Sequence, residues 1–291
     1  MARRGVRRIG CAAAASVVGI YTVLLGYFVV VVYPMVWMLY TSLKRDDKIF
    51  SHPFQLPDPA ELQWVNYETA WYVGKFGQYF GNSVLVTALT VALVLLLSSM
   101  AAYALARFAF PGARPLLFYF LAGLMLPVQM AIVPLFFQMK SLHLLGTLHG
   151  LLIAYVASGM PFAVFVLTGF FRSLPASLHE SAVLDGANEF QAFWHVMRPL
   201  AKPGLITVAI FSFLGTWNEF FMAFIFLSGE GATRFRTLPL GLANIAIVSQ
   251  YRVDWGMAFA GLVMAMLPAL LVYSLLQKQL TKGITLGALK G

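Results

Sequence analysis

Charged side chains are scarce in this sequence. Only 11% of the 291 residues are Asp, Glu, Lys or Arg, whereas 60% are hydrophobic. A soluble domain carries about 25% charged residues, so the composition excludes an ordinary soluble domain and indicates an integral membrane protein. The net charge of +9 comes from basic residues at the ends of apolar runs. That distribution is typical of topology control and of contact with anionic membrane lipid, and it excludes a nucleic-acid-binding patch.

Cysteine and recognisable catalytic motifs are also lacking. Cys11 is the only cysteine, so the chain can form neither an internal disulfide nor a cysteine metal cluster. The sequence contains no Gly-x4-Gly-Lys-Ser/Thr phosphate loop. The energy for any driven process in which this chain takes part must therefore come from a partner or an ion gradient. The histidines have no neighbouring metal ligands in the sequence. We therefore expect no catalytic site, no metal and no cofactor in this chain.

Long apolar runs make up most of the chain. A membrane-spanning helix needs about 20 mostly apolar residues, and these runs lack the alternation of barrel strands. The sequence therefore predicts an all-α integral membrane protein with six transmembrane helices. Their approximate bounds are 16–41, 82–106, 116–138, 150–171, 205–228 and 257–279.

The predicted transmembrane domain, residues 16–281, has a short cytoplasmic tail at each end, 1–15 and 282–291. No charge occurs from Ile9 to Leu43. Because the apolar part of a signal peptide is only about 7–15 residues long, we interpret this run as an uncleaved first span. With both termini inside, the inside segments hold more Lys and Arg than the outside segments, which favours an N-in, C-in topology.

A polar segment, residues 173–204, separates two apolar runs and is predicted to form two short helices. A capping box of Ser177 and Glu180 would begin the first helix, which would run from about Leu178 to Asp185. Gly186 can adopt positive φ and end that helix. With the N-terminus inside, the whole polar segment would lie in the cytoplasm.

The second helix of the polar segment would begin at Asn188, a good N-cap residue, and end at Pro199, which lacks an amide proton. It carries Phe190, Phe193 and Met197 at helical spacing. This apolar face is large for so short a helix, so we expect something to cover it.

The polar segment resembles the EAA loop of ABC importer permeases, Glu-Ala-Ala-x3-Gly-x9-Ile-x-Leu-Pro, in its carbohydrate-uptake branch. The matching positions are Glu180, Ser181, Ala182, Asp185, Gly186, Ala187, Val196 and Pro199. Ser181 stands in place of an alanine and Arg198 in place of a leucine. The resemblance implies the six-helix, maltose-type permease architecture, in which these residues dock onto an ATPase subunit. Phe190, Phe193 and Met197 would then fill a groove on that subunit.

The same resemblance implies the partners and the location of the chain. An ATPase subunit dimer would bind ATP and Mg, so the chain would be a transport subunit without an ATPase site. A second, different permease is common in the family, and an extracytoplasmic solute-binding protein would deliver a sugar or oligosaccharide. The external segment 229–254 matches the loop that reaches into the binding protein. The location would be the bacterial cytoplasmic membrane.

Glu219 lies near the middle of the fifth predicted span, next to Trp217 and Asn218. A carboxylate there costs about 3 kcal/mol on insertion scales, so it should face protein or a wet cavity. The sequence Trp-Asn-Glu-Phe also resembles maltose-type permeases at this place. The three residues are candidates for the solute pathway. The structural alternatives are a hydrogen bond between spans for Glu219 and core packing for Trp217.

Glu219 also permits a second function, that of an ion-coupled secondary transporter with this carboxylate as the proton or cation site. Such a carrier needs no ATPase partner. The sequence shows no evident inverted repeat, and this alternative leaves the polar segment unexplained. The two functions differ in a simple test, because a carrier follows an ion gradient and an importer of the first kind requires ATP.

Overall fold

The computed structural model describes the backbone of residues 2–229, 231–248 and 254–288, and the side chains of residues 16–229, 231–243 and 254–277. Regular structure in these ranges is helical, without a strand, as predicted. In chain order the α-helices are α1 (Ala2–Thr41), α2 (Asp46–Ser51), α3 (Val65–Glu68), α4 (Phe76–Arg107), α5 (Ala113–Met125), α6 (Val128–Ser141), α7 (Leu148–Ser173), α8 (Ala176–Leu184), α9 (Glu189–Gln191), α10 (Arg198–Leu200), α11 (Lys202–Trp217), α12 (Phe221–Phe226), α13 (Leu238–Val248) and α14 (Trp255–Ala288). Short 3-10 segments lie at Pro59–Glu61 and Ala232–Phe235, and π-helical turns lie at Thr69–Val73 and Ala192–Met197.

Within the described part of the chain, four helical segments are long and apolar enough to cross a membrane. They are Ser16–Thr41, Phe76–Arg107, Leu148–Ser173 and Trp255–Gln277. Two bent helix pairs raise the number of spans to as many as six: Ala113–Met125 with Val128–Ser141, and Glu189–Leu200 with Lys202–Trp217. The fold therefore agrees with a six-span permease, although two of the predicted spans are not continuous helices.

The third predicted span, 116–138, is broken near its middle. Helices α5 and α6 meet at an angle of 105°. Leu126 is extended, with φ −92° and ψ 113°, and Pro127 is the N-cap of α6. A residue before proline is pushed out of the helical region by the proline ring, so the prediction of one continuous helix here was wrong. Pro134, by contrast, lies inside α6 without ending it.

The fifth predicted span, 205–228, is also interrupted. Helix α11 ends at Trp217 and α12 begins at Phe221. The backbone between them leaves the helix because the Glu219 carboxylate accepts the free N–H groups of the next helix. The prediction of a single helix over 205–228 was therefore wrong.

The predicted tails are largely helical. The first helix begins at Ala2 rather than at residue 16, so the backbone of 2–15 continues α1. At the other end α14 continues to Ala288, while residues 289–291 lie outside the described residues. In the external segment, residue 230 and residues 249–253 also lie outside them.

The chain divides into two compact units. The first comprises Met1–Gly74 and Ser249–Val263. Within it the described side chains of α1 are buried only at the end of the helix, at Thr41. The loop after α1 is tightly hydrogen-bonded: Asn66 donates its amide N–H to the carbonyls of Ser42 and Lys44, at 2.8 and 3.0 Å. The Asp46 carboxylate accepts the backbone N–H groups of Trp255 and Gly256, at the start of α14.

Lys44 is a buried cation of this first unit. Its Nζ donates to the carbonyls of His52 and Pro53, at 3.0 and 3.1 Å. Burial lowers the pKa of the Lys44 ammonium, because desolvation disfavours its charged form. The two carbonyls compensate part of that cost and hold the loop closed.

The second unit comprises Lys75–Val248 and Met264–Gly291, and its core is formed by α4, α7 and α11. The long helices α4 and α7 pack along each other, and α11 packs against both. A small residue permits the close approach of α11 and α7, because a Cβ at Gly204 would lie 2.6 Å from the Phe170 ring. This core positions the polar segment at one end and the Glu219 region within the bundle.

Candidate functional site

The first helix of the polar segment, α8, begins earlier than its sequence indicates. Pro175 is its N-cap, and no side chain caps it. Ser177 therefore lies inside the first turn, and the predicted capping box of Ser177 and Glu180 was wrong. Because the residue before a proline is driven out of the helical region, the helix starts directly after Pro175.

The turn after α8 agrees with prediction. Gly186 has φ +89°, a value that a residue without Cβ adopts at little cost. The N–H of Gly186 donates to the carbonyl of Val183, and that of Ala187 to the carbonyl of Ala182. These bonds satisfy the last carbonyls of α8, so the turn is built locally.

The second helix of the polar segment begins with the predicted cap. The Asn188 side chain accepts the N–H of Gln191, and the Gln191 side chain accepts the N–H of Asn188, each at 2.9 Å. The helix then passes through the π-helical turn and ends at Leu200, one residue beyond Pro199. A bend of 76° separates it from α11.

The apolar face of this second helix is covered mostly by the chain itself. Phe193 and Met197 are 3% and 0% exposed, in a cluster with Tyr103 and Phe171. The expectation that they fill a groove on another protein was therefore wrong. The π-helical turn and the bend press this face onto the ends of α4 and α7. Phe190 differs, since it is 61% exposed.

Phe190 belongs to a partly exposed stack along the same helix. Its ring lies 6.0 Å from that of Trp194 at an interplanar angle of 12°. The Arg198 guanidinium lies 4.1 Å from the Trp194 ring centroid. Arg198, which departs from the family pattern, thus makes a cation–π contact where a leucine would make an apolar one.

Helix α8 is the most exposed part of the polar segment. Glu180, Ser181, Asp185 and Gly186 are exposed, and Ala182 is the only buried residue of the helix. Leu184 is 87% exposed, although the sequence analysis did not single it out. A leucine on a short polar helix was its only signal. An exposed leucine between two carboxylates is suited to bind another protein surface.

Glu219 makes three hydrogen bonds at the break between α11 and α12. Its Oε1 accepts the N–H of Met222 at 2.7 Å, and its Oε2 accepts the N–H of Ala223 at 3.1 Å. The Tyr155 hydroxyl, on α7, donates to Oε2 at 2.6 Å. The carboxylate therefore caps the first turn of α12 and ties it to α7, which is the predicted hydrogen bond between spans.

Glu219 also lines a cavity of about 380 Å³ in the second unit. Other polar side chains around the cavity come from α4, α7 and α11: Thr90, Tyr155, Ser158, Ser212 and Thr216. The remaining lining is mainly apolar. A space of this kind, with a few polar groups on apolar walls, is typical of a small-molecule site.

Trp217 and Asn218, the two other predicted pathway residues, do not line this cavity. Trp217 is 3% exposed, and its Nε1–H donates to the Ala265 carbonyl at 2.9 Å. Its ring stacks on Phe213 at 5.8 Å, so it is packed in the core and cannot stack on a solute. Asn218 is exposed and donates to the Leu214 carbonyl at 2.9 Å. Of the three predicted pathway residues, Glu219 alone lines the cavity.

The apolar spans, the bent polar segment and the cavity within the bundle define a class of protein, the membrane permeases. Residues 94–286 match the family described as "Binding-protein-dependent transport system inner membrane component", and the chain belongs to this family. It is accordingly a multi-pass permease subunit of an ABC importer in the cytoplasmic membrane. As such a subunit it carries no ATPase site of its own.

Individual relatives match almost the whole chain. The diacetylchitobiose uptake system permease protein NgcG of Streptomyces coelicolor is 42% identical over 270 residues, 93% of this chain and 88% of the relative. The trehalose transport system permease protein SugB of Mycobacterium tuberculosis is 32% identical over 275 residues, 93% of this chain and 95% of the relative.

A solved structure is similar to the chain as well. A chain in a crystal structure of a bacterial ABC transporter involved in importing the acidic polysaccharide alginate matches with a TM-score of 0.78 and 26% identity. The match covers 89% of this chain and 94% of the other. These relatives give no support to the alternative of an ion-coupled secondary transporter.

Proposed function

We propose that this chain forms part of the translocation pathway for a sugar or oligosaccharide in its ABC importer. The observation that carries the proposal is the 42% identity to a diacetylchitobiose permease across 93% of this chain. A trehalose permease and an alginate importer are also similar over most of their lengths. All three names refer to saccharides, although the three saccharides differ in size and charge.

The polar segment is our proposed contact with an ATPase subunit dimer, which binds ATP and Mg. Helix α8 supplies the surface, with Glu180 and Asp185 as charged groups, Leu184 as the apolar group and the Gly186 turn at its end. In the N-in, C-in topology that the Lys and Arg distribution favours, this surface would lie in the cytoplasm, where ATP is available. Phe190 extends the surface, whereas Phe193 and Met197 support it from inside.

A second permease and an extracytoplasmic solute-binding protein complete the proposed importer. The apolar, unburied α1 span favours contact with lipid or with the second permease. Within the external segment Arg234 and Arg236 are held to α4, which suits a docking role: Asn82 donates to the carbonyls of both residues, at 2.8 and 2.9 Å. The N–H of Leu238 donates to the Ser83 hydroxyl at 2.8 Å.

The cavity beside Glu219 is our proposed section of the solute pathway. Its hydroxyl and carboxylate groups can exchange hydrogen bonds with sugar hydroxyls, and its apolar walls can contact a sugar face. Since Glu219 already accepts three hydrogen bonds, its first role is to fix the wall of this pathway. Ser158, whose side chain is exposed on the cavity wall, is better placed to address the solute.

Uptake into proteoliposomes tests the proposed function. The chain is reconstituted with its partner permease and ATPase subunits, and labelled saccharides of different length are offered with the binding protein. We expect uptake that requires ATP on the ATPase side and competition by one class of saccharide. Uptake that follows a proton gradient without ATP would overturn the proposal in favour of the secondary transporter.

A further inference from the structure

Helix α8 is held to the rest of the chain by few side chains. Ala182 is its only buried residue. Among the described side chains of α8, His179 alone takes part in a hydrogen bond. A force applied to α8 can therefore pass to the spans through this contact, through the packing of α8 on the π-helical turn at Ala192–Met197, or along the backbone. The backbone route runs through the Gly186 turn, which two backbone hydrogen bonds close.

The His179 contact joins three elements at one point. Its Nδ1 lies 3.0 Å from the Tyr103 hydroxyl, on α4. The same hydroxyl donates to Oε2 of Glu189 at 3.5 Å, on α9. His179 Nε2 lies 3.7 Å from that oxygen. In a consistent arrangement, the Nδ1–H of His179 donates to the Tyr103 hydroxyl oxygen, and the Tyr103 O–H donates to the Glu189 carboxylate.

The Tyr103 end of this contact is rigid. Tyr103 is only 5% exposed, and its ring lies 5.1 Å from Phe193 and 5.7 Å from Phe171. One helical turn further along α4, Arg107 donates to the carbonyls of Phe171 and Leu174, each at 2.8 Å. The end of α4 is thus fixed to the end of α7, whereas His179 and Glu189 are partly exposed.

We propose that Tyr103, His179 and Glu189 act together as a clasp that passes movement of α8 directly to the spanning helix α4. They are positioning residues for transport, because none of them lines the cavity or would touch solute. The inference rests on the proposed docking of α8 onto the ATPase subunit. With the clasp closed, a displacement of α8 moves α4, which forms one wall of the Glu219 cavity. With the clasp open, the Gly186 turn absorbs the displacement of α8, and α4 does not move.

The experiment measures solute imported per ATP hydrolysed, using the intact importer in proteoliposomes. Tyr103→Phe keeps the ring packing and removes the hydroxyl, and His179→Leu removes both polar contacts. Each loses a hydrogen bond worth about 1 kcal/mol, so we expect about a fivefold lower ratio. The ATPase subunit should stay bound in both variants. His179→Asn retains an amide group near the position of Nδ1, and we expect it to restore most of the ratio.

A matched control lies on the same segment. His195 is exposed, and its ring forms a hydrogen-bond contact within its own helix, with the Gln191 carbonyl at 3.2 Å, so His195→Leu should leave the ratio unchanged. In the double variant of Tyr103 and His179 we expect less loss than the sum of the two single variants, since the Tyr103–His179 contact is shared by both. A purely structural defect would instead lower thermal stability and subunit retention together with the ratio.

The outcomes separate this inference from the function on which it rests. A wild-type ratio in both Tyr103→Phe and His179→Leu would overturn the clasp and leave the importer intact. A loss in His179→Asn equal to that in His179→Leu would contradict the Tyr103 bond. An unmodified complex that binds no ATPase subunit, or that imports without ATP, would instead overturn the proposed function.

Discussion

A single carboxylate organises the interrupted fifth span. Glu219 uses its two oxygens to accept two N–H groups of α12 and the Tyr155 hydroxyl. Without the carboxylate these donors would need another acceptor, and unsatisfied polar groups within a helix bundle are costly. Glu219 therefore lies at the interruption of the helix and also accepts the N–H groups that the interruption leaves free.

Replacing Glu219 by alanine tests this role. Three donors lose their acceptor, at a cost of about 1–3 kcal/mol for each that stays unsatisfied, so we expect a lower thermal midpoint and reduced uptake with the ATPase subunit still bound. Tyr155→Phe is the matched variant, because it removes one bond and leaves the α12 cap intact. We expect its effect to be clearly smaller. Unchanged stability and uptake in Glu219→Ala would contradict the capping role.

At the scale of the helices, the turn that ends α8 depends on the backbone conformation of a single residue, Gly186. Gly186 has φ +89°, and a Cβ built there would meet nothing within 4 Å. A substitution at this position therefore acts through backbone strain alone and leaves packing unchanged. Strain of this kind costs about 1–3 kcal/mol.

Gly186→Val is expected to distort the turn and to uncouple ATP hydrolysis from uptake, because β-branched residues avoid positive φ. Gly186→Asn should retain most of the coupling, since asparagine tolerates the left-handed region. The measurement is again solute imported per ATP. Gly169→Ala in α7, which also has open space around its Cβ position and an ordinary φ, should have little effect. Normal coupling in Gly186→Val would count against α8 as the docking element.

Local signals predicted two elements of the polar segment correctly, but the equally local Ser177–Glu180 capping box was wrong because α8 begins directly after Pro175. Positive φ at Gly186 and the Asn188 cap depend on neighbours within a few residues, so the pattern alone sufficed. The burial of Phe193 and Met197 could not be predicted, because periodicity shows that a face is apolar and not what covers it. The breaks at Pro127 and Glu219 left apolar runs of spanning length, and run length alone does not reveal an interruption.

At the scale of the whole molecule, the chain leaves much of its apolar surface uncovered. The apolar part of the α1 span is unburied, and only 17% of the apolar part of the last span is buried. Lipid can cover such surfaces, but the exposed Leu184 lies on a polar helix outside the spans. Together with the match to an importer family over residues 94–286, this pattern indicates a subunit that works as part of a larger assembly.

Photo-cross-linking from position 184 tests the central proposal most directly. A photoreactive amino acid replaces Leu184 in the intact importer, and the same amino acid replaces Val23, which lies on α1 and is 72% exposed, as the control. We predict a cross-link from position 184 to the ATPase subunit, reduced in Gly186→Val, and none to that subunit from position 23. A cross-link from position 184 to the external solute-binding protein, or to no subunit at all, would contradict the account.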